Sequence, residues 1–378
     1  MYKSFKIRLY PTKEQEDIMR KHIGACRFIW NYMLDLQEQR YQNGEKYLFR
    51  FDMIKLLVPL KKQEDFSWLQ EVSSQSLNII CTDLSKTYDM FFNKIKHFPK
   101  FKSKKQAKQS FPLKEDRVWF DGRNAHIEKI GLVKYRADKD LLLRRGNKFI
   151  NPRVKCKNGK WILSLSIECE NQAPELTDRP MGIDLGIKET MTVAYGNEVI
   201  VFHNINKSKQ MRDLENKIKH TSRSISRKYE ANRQGNKYIK TKNIEREEDK
   251  LRKLYARQAN IRNNYNHQCT HKLVSLLPSR VVMEDLNVQG MMKNRYLSKS
   301  VKEQCFYEIT KQMKYKCEWN GIPFIQVGMF YPSSKTCSNC GHVKKKLDLD
   351  ERTYVCSECG FVIDRDLNAA INLQRYTA

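Results

Sequence analysis

The sequence contains no run of 18 apolar residues, so no segment reads as a membrane-spanning helix. It shows no signal peptide and no transit-like leader, and the expected compartment is the bacterial cytoplasm, in association with the nucleoid during action. No internal repeat and no low-complexity tract are present, which excludes solenoids, propellers and a compositionally disordered chain. Acidic side chains are scarce: 43 Asp and Glu stand against 71 Lys and Arg, a formal net charge of +28 over 378 residues. Such an excess cannot be neutralised internally. It calls for a polyanionic partner, DNA or RNA, rather than a small acidic substrate or a membrane. The eleven cysteines are an odd number. Seven of them (Cys26, Cys81, Cys156, Cys169, Cys269, Cys305 and Cys317) lie mostly in apolar stretches, as reduced core thiols do in a reducing compartment.

The other four cysteines form the most specific pattern in the chain. Cys337-x2-Cys340 and Cys356-x2-Cys359 are separated by fifteen residues. Two such short turns each present two thiolates at the separation a tetrahedral Zn²⁺ requires. Four thiolates close the coordination sphere, so the metal is structural and His342 is a bystander. Lys344, Lys345 and Lys346 either touch nucleic acid or belong to a solvated turn.

Residues 2–9 alternate as a strand and lead to Pro11-Thr12, with Thr12 and Gln15 at capping-box spacing. Helical spacing follows from Ile18 to Leu36, and a second helix is predicted over 74–96. Residues 94–108 hold seven lysines and no acid, with Phe98 and Phe101 interleaved; this is either a solvated loop or a phosphate-pairing and stacking segment. From 111 to 170 the pattern is strands, with Asn158-Gly159 as a hairpin turn, and the first strand is expected to rejoin this region. Strands are predicted at Gly182–Gly186, Thr190–Tyr195, Glu198–Phe202, Arg280–Glu284 and Pro323–Val327. The stretch 207–257 carries seventeen Lys/Arg against seven Asp/Glu and is helical in composition. One helix is predicted from the 280–284 strand to about Trp319, and a last helix from about Asp366 to Arg375.

Acidic residues interrupt the apolar strands. Asp184 stands inside one and Glu284 ends another, where a charge costs several kcal/mol, as an order of magnitude, unless paired or metal-bound. Asp285 faces the opposite side by strand alternation. Asp366 opens a helix whose Ala369 and Ala370 are small enough to pack closely on a sheet; helix-dipole stabilisation is its alternative role, and Asp364 is the expected N-cap. Convergent carboxylates bind hard cations, Mg²⁺ or Mn²⁺, and two such ions serve phosphodiester hydrolysis.

The order GIDLGIKE (182–189), VMEDLN (282–287), CSNCG (337–341), CSECG (356–360) and DRDLNAAIN (364–372) resembles TnpB, the RNA-guided endonucleases of bacterial insertion sequences, related to miniature type V CRISPR effectors. FKIRLYPTKEQ (5–15) and FPKFKSKKQAKQSF (98–111) extend the resemblance over nearly the whole chain. It implies an α+β multidomain fold: a β-barrel wedge domain over 1–12 and 110–175, with a helical recognition domain inserted at 13–109. A ribonuclease-H-like (RuvC) α/β nuclease domain would occupy 176–336 and 360–378, interrupted by a zinc ribbon at 337–359. Matched to the family's motifs, Asp184, Glu284 and Asp366 are the catalytic, Mg²⁺-binding acids, and Cys337, Cys340, Cys356 and Cys359 are the zinc ligands. Asp366 is chosen because it precedes Leu-Asn-Ala-Ala; the departure is a tail of twelve residues after it. The implied activity is metal-dependent DNA hydrolysis, guided by a noncoding RNA, beside a short target-adjacent motif in double-stranded DNA, by a monomer. The basic 207–257 stretch would line the channel for the guide–target duplex. Two rivals use the same residues: a protein-only transposase or recombinase, and an RNA-guided DNA-binding regulator that does not cut.

Overall fold

The computed structural model describes residues 2–105, 108–136, 149–169, 173–348 and 351–377. The chain divides into two compact units, Met1–Glu170 and Asn171–Ala378.

The first unit opens with β1 (Tyr2–Tyr10), whose Ile7 and Leu9 point into the core. Thr12 then caps α1 (Lys13–Gln42): its hydroxyl accepts from Gln15 N–H at 3.3 Å, and its own N–H donates to Gln15 Oε1 at 3.0 Å. The helices α2 (Arg50–Leu60) and α3 (Ser74–Phe92) follow, joined by a 3₁₀ segment over Glu64–Glu71. Two differences from the sequence expectation arise here. Residues 50–71 are helical without a sequence signal, since Pro59 lies inside α2 and the apolar spacing is weak. The helix predicted to residue 96 ends at Phe92, because Lys94 adopts φ +57° and turns the chain away.

Six further strands complete the first unit's sheet: β2 (Ser110–Pro112), β3 (Val118–Asp121), β4 (Asn124–Ile127), β5 (Gly131–Arg136), β6 (Phe149–Lys157) and β7 (Lys160–Glu168). Their order is β2-β6-β7-β1-β5-β4-β3, so the first strand does rejoin the later β region, between β7 and β5. Asn158 and Gly159 link β6 to β7 with φ of +52° and +70°, the conformation a two-residue hairpin turn demands. Among the described residues β2 and β3 are the edge strands of an antiparallel, half-barrel sheet. Residues 137–148, between β5 and β6, lie outside the described residues.

The second unit begins with β8 (Pro180–Leu185), β9 (Glu189–Tyr195) and β10 (Glu198–His203). Two long helices come next, α4 (Lys209–Ala231) and α5 (Lys242–Val274), broken by the short hairpin of β11 (Arg233–Gln234) and β12 (Lys237–Tyr238) around Gly235. After β13 (Arg280–Glu284), the single helix predicted to Trp319 is three: α6 (Val288–Lys293), α7 (Ser298–Gln304) and α8 (Phe306–Trp319). The last break falls at Cys305, which stands in the left-handed region. The chain ends with β14 (Phe324–Val327), the small strands β15 (Thr353–Val355) and β16 (Val362–Asp364), and α9 (Arg365–Arg375).

The main sheet of this unit has the order β10-β9-β8-β13-β14; β8, β13 and β14 are parallel, and β9 and β10 antiparallel. Parallel neighbours need crossover helices, and the α4–α5 and α6–α8 segments supply them. Strand alternation sorts the two faces. Met181, Ile183, Val281 and Met283 bury against Leu273 of α5 and Ile309 and Met313 of α8. Val282 and Val327 bury against Leu373 of α9 on the other face. Among the described residues, no helix is long and apolar enough to cross a membrane.

Candidate active site and cysteine centre

The site is built at the C-terminal ends of β8 and β13. These strands run parallel with Ile183 beside Met283, so the next residues, Asp184 and Glu284, stand side by side, about 5 Å apart in backbone position. The third acid arrives on α9. Gly182 admits that helix at backbone contact: a Cβ there would lie 2.1 Å from Ala370 O and 2.2 Å from Gln374 N. Ala369 and Ala370 are buried in the same contact. The first turn of α9 thereby reaches the strand ends, where Asp366 Oδ2 is 3.8 Å from the position a Cβ on Gly186 would take. Asp364 caps the helix as expected, its Oδ1 accepting from the N–H of Asp366 at 3.0 Å and of Leu367 at 3.1 Å. Asp285 faces away and accepts from Gln326 Nε2 at 2.9 Å.

The electrostatics follow from this convergence. Burial pushes the Asp184 carboxyl well above the usual carboxylate range, and the charges of Glu284 and Asp366 raise it further. Burial lifts Glu284 to about 7, with Arg365 pulling the other way. Asp366 is raised by burial and by Asp364. The three carboxyls resist ionising together and offer only oxygen donors, and a hard divalent cation would relieve their ionised form. The residues fit Mg²⁺ or Mn²⁺ in donor type and in charge.

The cysteine centre is made of two matching turns. Gly341 N–H donates to Cys337 O at 2.9 Å, and Gly360 N–H to Cys356 O at 3.1 Å. Cys337 N–H donates to His342 O at 2.8 Å, and Cys356 N–H to Phe361 O at 2.9 Å. Both glycines carry positive φ, +79° and +68°, which a side chain would strain. The four sulfurs lie within 4.8 Å of one another. Cys337 Sγ is 3.7 Å from Cys359 Sγ, and Cys340 Sγ is 3.6 Å from Cys356 Sγ. A tetrahedron with metal–sulfur bonds of about 2.3 Å has edges of about 3.8 Å, so the four-cysteine cluster fits a zinc site. Cys359 is pulled down to about 6 by the Phe361 N–H and the Asn339 amide, toward the thiolate a metal needs. His342 points its Nε2 to Ser357 Oγ, 3.3 Å away.

The basic segments divide. In 94–108, Phe98 packs edge-on against Tyr88 and Phe91, with centroids 5.6 and 5.3 Å apart, and Lys102 Nζ sits 3.1 Å above the Trp30 ring. Part of this segment is therefore folded back on α1 and α3, while Phe101 stays exposed. Residues 106–107 fall outside the described residues. In α4 and α5 most of the acids pair with basic neighbours, as in Lys228–Glu247 at 3.2 Å, Lys240–Glu248 at 2.6 Å and Lys253–Asp249 at 2.7 Å. The positive excess is left on the solvent face. Lys344 pairs with Glu351 at 3.4 Å and Lys346 with Asp348 at 3.1 Å.

Sequence reasoning missed three features. Gly182 was read as an ordinary strand residue, although a glycine in an apolar strand signals close backbone approach. Ser333 donates its hydroxyl hydrogen bond to Glu284 Oε1. Asn368, Asn372 and Arg375 recur at i, i+4 and i+7 on α9, a helical stripe that was there to be read.

Residues 1–46 match a family model described as "Helix-turn-helix domain", residues 164–295 one described as "Probable transposase", and residues 306–373 one described as "Cas12f1-like, TNB domain". A protein of Escherichia coli (strain K12) named "Putative RNA-guided DNA endonuclease InsQ" is 30% identical over 98% of this chain and 91% of its own length. A "Putative RNA-guided DNA endonuclease" of Streptomyces pristinaespiralis is 29% identical over 98% of this chain and 88% of its own. The solved structure of the mini-RNA-guided endonuclease CRISPR-Cas_phi3 shares the fold, with a TM-score of 0.52 at 11% identity, over 99% of this chain and 92% of that one. With motifs, mixed α/β fold and near full-length likeness in agreement, the chain belongs to the TnpB family.

Proposed function

We propose that this protein is a transposon-associated RNA-guided DNA endonuclease, hydrolysing DNA phosphodiesters at Asp184, Glu284 and Asp366. The observation that carries the reading is the convergence of these acids, each pushed toward its neutral form, at one end of β8, β13 and α9. A fold gains no stability from such a cluster; a metal-dependent nuclease requires it. Mg²⁺ bound here supplies Lewis-acid polarisation of the phosphate and an activated water. The chain's own part is to hold three oxygen donors on rigid elements: two on paired strands, one in a capped helix turn. Ser333 fixes the Glu284 carboxylate.

The remaining parts take roles in keeping with their chemistry. The sheet and helices of residues 1–175 serve as the wedge domain (1–12 and 110–175) and helical recognition domain (13–109). Residues 176–336 and 360–378 form the RuvC-like nuclease domain, and 337–359 the zinc ribbon, held by Cys337, Cys340, Cys356 and Cys359. The partners are a guide noncoding RNA and double-stranded target DNA, met in the bacterial cytoplasm. The basic face of α4 and α5 lines the guide–target duplex, read through its backbone.

The test is guided cleavage. The purified protein with its cognate RNA should cut DNA matching the guide beside the target-adjacent motif, in Mg²⁺, and a new guide should redirect the cut. Asp184→Ala should abolish cutting while leaving RNA binding intact. Site-specific cutting by RNA-free protein would favour a protein-only transposase. Guided binding without cutting would favour a regulator.

A further inference from the structure

The cysteine centre and the nuclease acids are joined by a buried polar chain. Residues 331–338 run from the end of β14 to the first cysteine turn, and α9 grips them with its polar stripe. Asn368 is fully buried; its Oδ1 accepts from Ser338 N–H at 2.9 Å, and its amide donates to Thr336 O at 2.7 Å. Asn372 donates to Ser333 O at 2.7 Å and Thr336 O at 2.6 Å. Arg375 donates to Ser338 O. Ser333, 2% exposed, then donates to Glu284. Tyr331 adds a further tie, its hydroxyl donating to Asn372 O at 3.3 Å.

These bonds have an unusual distribution. Asn368 and Asn372 spend their side chains on the backbone of one short segment, whose own structure is a single turn closed by Lys335 and Thr336 N–H on Pro332 O and a bridge at Thr336–Val343. So short a segment takes its place in the fold from its ends and from the groups that bind its remaining carbonyls. One end follows β14 after the exposed residues 328–330. The other is the Cys337 turn, whose order depends on the metal it fits. The same helix that reads the segment also carries Asp366 two residues before Asn368. The residues flanking Cys337 are thus tied to α9 through Asn368 and Asn372, and Asn372 ties the same helix to Ser333.

We propose that Ser333, Asn368 and Asn372 are positioning residues that couple the cysteine centre to Glu284, so that zinc occupancy sets the affinity of the acids for their divalent cation. This rests on the nuclease reading only for its consequence in cutting; the coupling itself is a property of the two metal sites.

The test is the Mn²⁺ affinity of the full-length, zinc-loaded protein, measured by calorimetry without nucleic acid, beside zinc content and guided cleavage. Ser333→Ala should keep one zinc per chain and its RNA affinity, yet bind Mn²⁺ roughly 10-fold more weakly or worse, the scale of one lost hydrogen bond to a charged group. Ser333→Thr, which keeps the hydroxyl, should restore affinity to within a few-fold. Asn372→Ala should keep zinc and show the same weakening. Removing zinc from the parent should weaken Mn²⁺ binding comparably, and removing it from Ser333→Ala should add little, since effects passing through one link do not add. Unchanged Mn²⁺ affinity in Ser333→Ala, or zinc and serine effects that multiply, would overturn the proposal. Intact coupling in a protein that never cuts guided DNA would support it and sink the endonuclease reading instead.

Discussion

Glu284→Gln should stabilise the protein in Mg²⁺-free, zinc-replete buffer. Burial lifts the Glu284 carboxyl from an ordinary 4.5 to about 7. At 1.36 kcal/mol per pKa unit, that difference makes the ionised side chain about 3 kcal/mol more costly folded than unfolded. Solvent reaching the half-buried carboxylate lowers the figure to on the order of 1–3 kcal/mol. The sign follows from the raised value. The folded-state preference for the protonated acid is fully present below pH 4.5 and is lost as pH rises through about 7. Glutamine keeps the oxygen that accepts from Ser333 and never ionises. The gain should therefore be near zero at pH 4.5 and complete by pH 8. For a unit the size of Asn171–Ala378 it should read as roughly 3–8 °C in Tm by scanning calorimetry. Added Mg²⁺ should stabilise the parent more than the variant, by mass action on the folded state. A variant no more stable than its parent at pH 8, or a gain equal at pH 4.5 and pH 8, would refute the account of the site's electrostatics.

Three other outcomes are expected. Gly182→Ala should cost about 3 kcal/mol or more, since its methyl group meets the α9 backbone rather than a movable side chain; thermal denaturation measures it. Cys337→Ser combined with Cys356→Ser should reduce zinc from about one per chain to none by metal analysis, and full occupancy in that variant would refute the assignment. Nucleic-acid affinity should fall with salt on a log–log plot by roughly 0.7–0.9 per phosphate contact, steeply for a chain of net charge +28, and a shallow slope would argue for a non-ionic interface.

Much of the second unit was legible because its signals are local. The two Cys-x2-Cys-Gly turns need only their own backbone bonds and a glycine of positive φ, so spacing alone located them. Asp184 and Glu284 were conspicuous because each breaks an apolar strand, and β8 and β13 formed where the apolar runs were. In the first unit, Thr12 with Gln15 and Asn158 with Gly159 are likewise complete motifs. What failed was continuity. The helix predicted to Trp319 breaks at 294–297 and at Cys305, and the basic 207–257 stretch folds back at Gly235, because composition marks helical content and not where tertiary packing requires a turn. Residues 50–71 gave no periodic signal; α2 packs on α3, and Phe66 and Trp68 of the 3₁₀ segment pack on Phe28 of α1.

Residue order by itself determined the mixture of helices and strands, the zinc-type turns and the polyanion-seeking charge, and it marked Asp184 and Glu284 as acids in apolar strands; the choice of Asp366 came from the family resemblance. Tertiary structure alone decided how those acids meet. Nothing local in Ser333 announces a role, and the sequence signals at Gly182, Asn368 and Asn372, a glycine in an apolar strand and a polar helical stripe, do not say what each residue meets. Gly182 matters because a helix almost 190 residues further along comes to lie on it. Ser333 matters because the packing of the second unit brings Glu284 within its reach, and Asn372 because that same helix lays it against the Ser333 carbonyl. Side-chain chemistry is written residue by residue, whereas the convergence of distant residues depends on the packing of the sheet and helix that carry them.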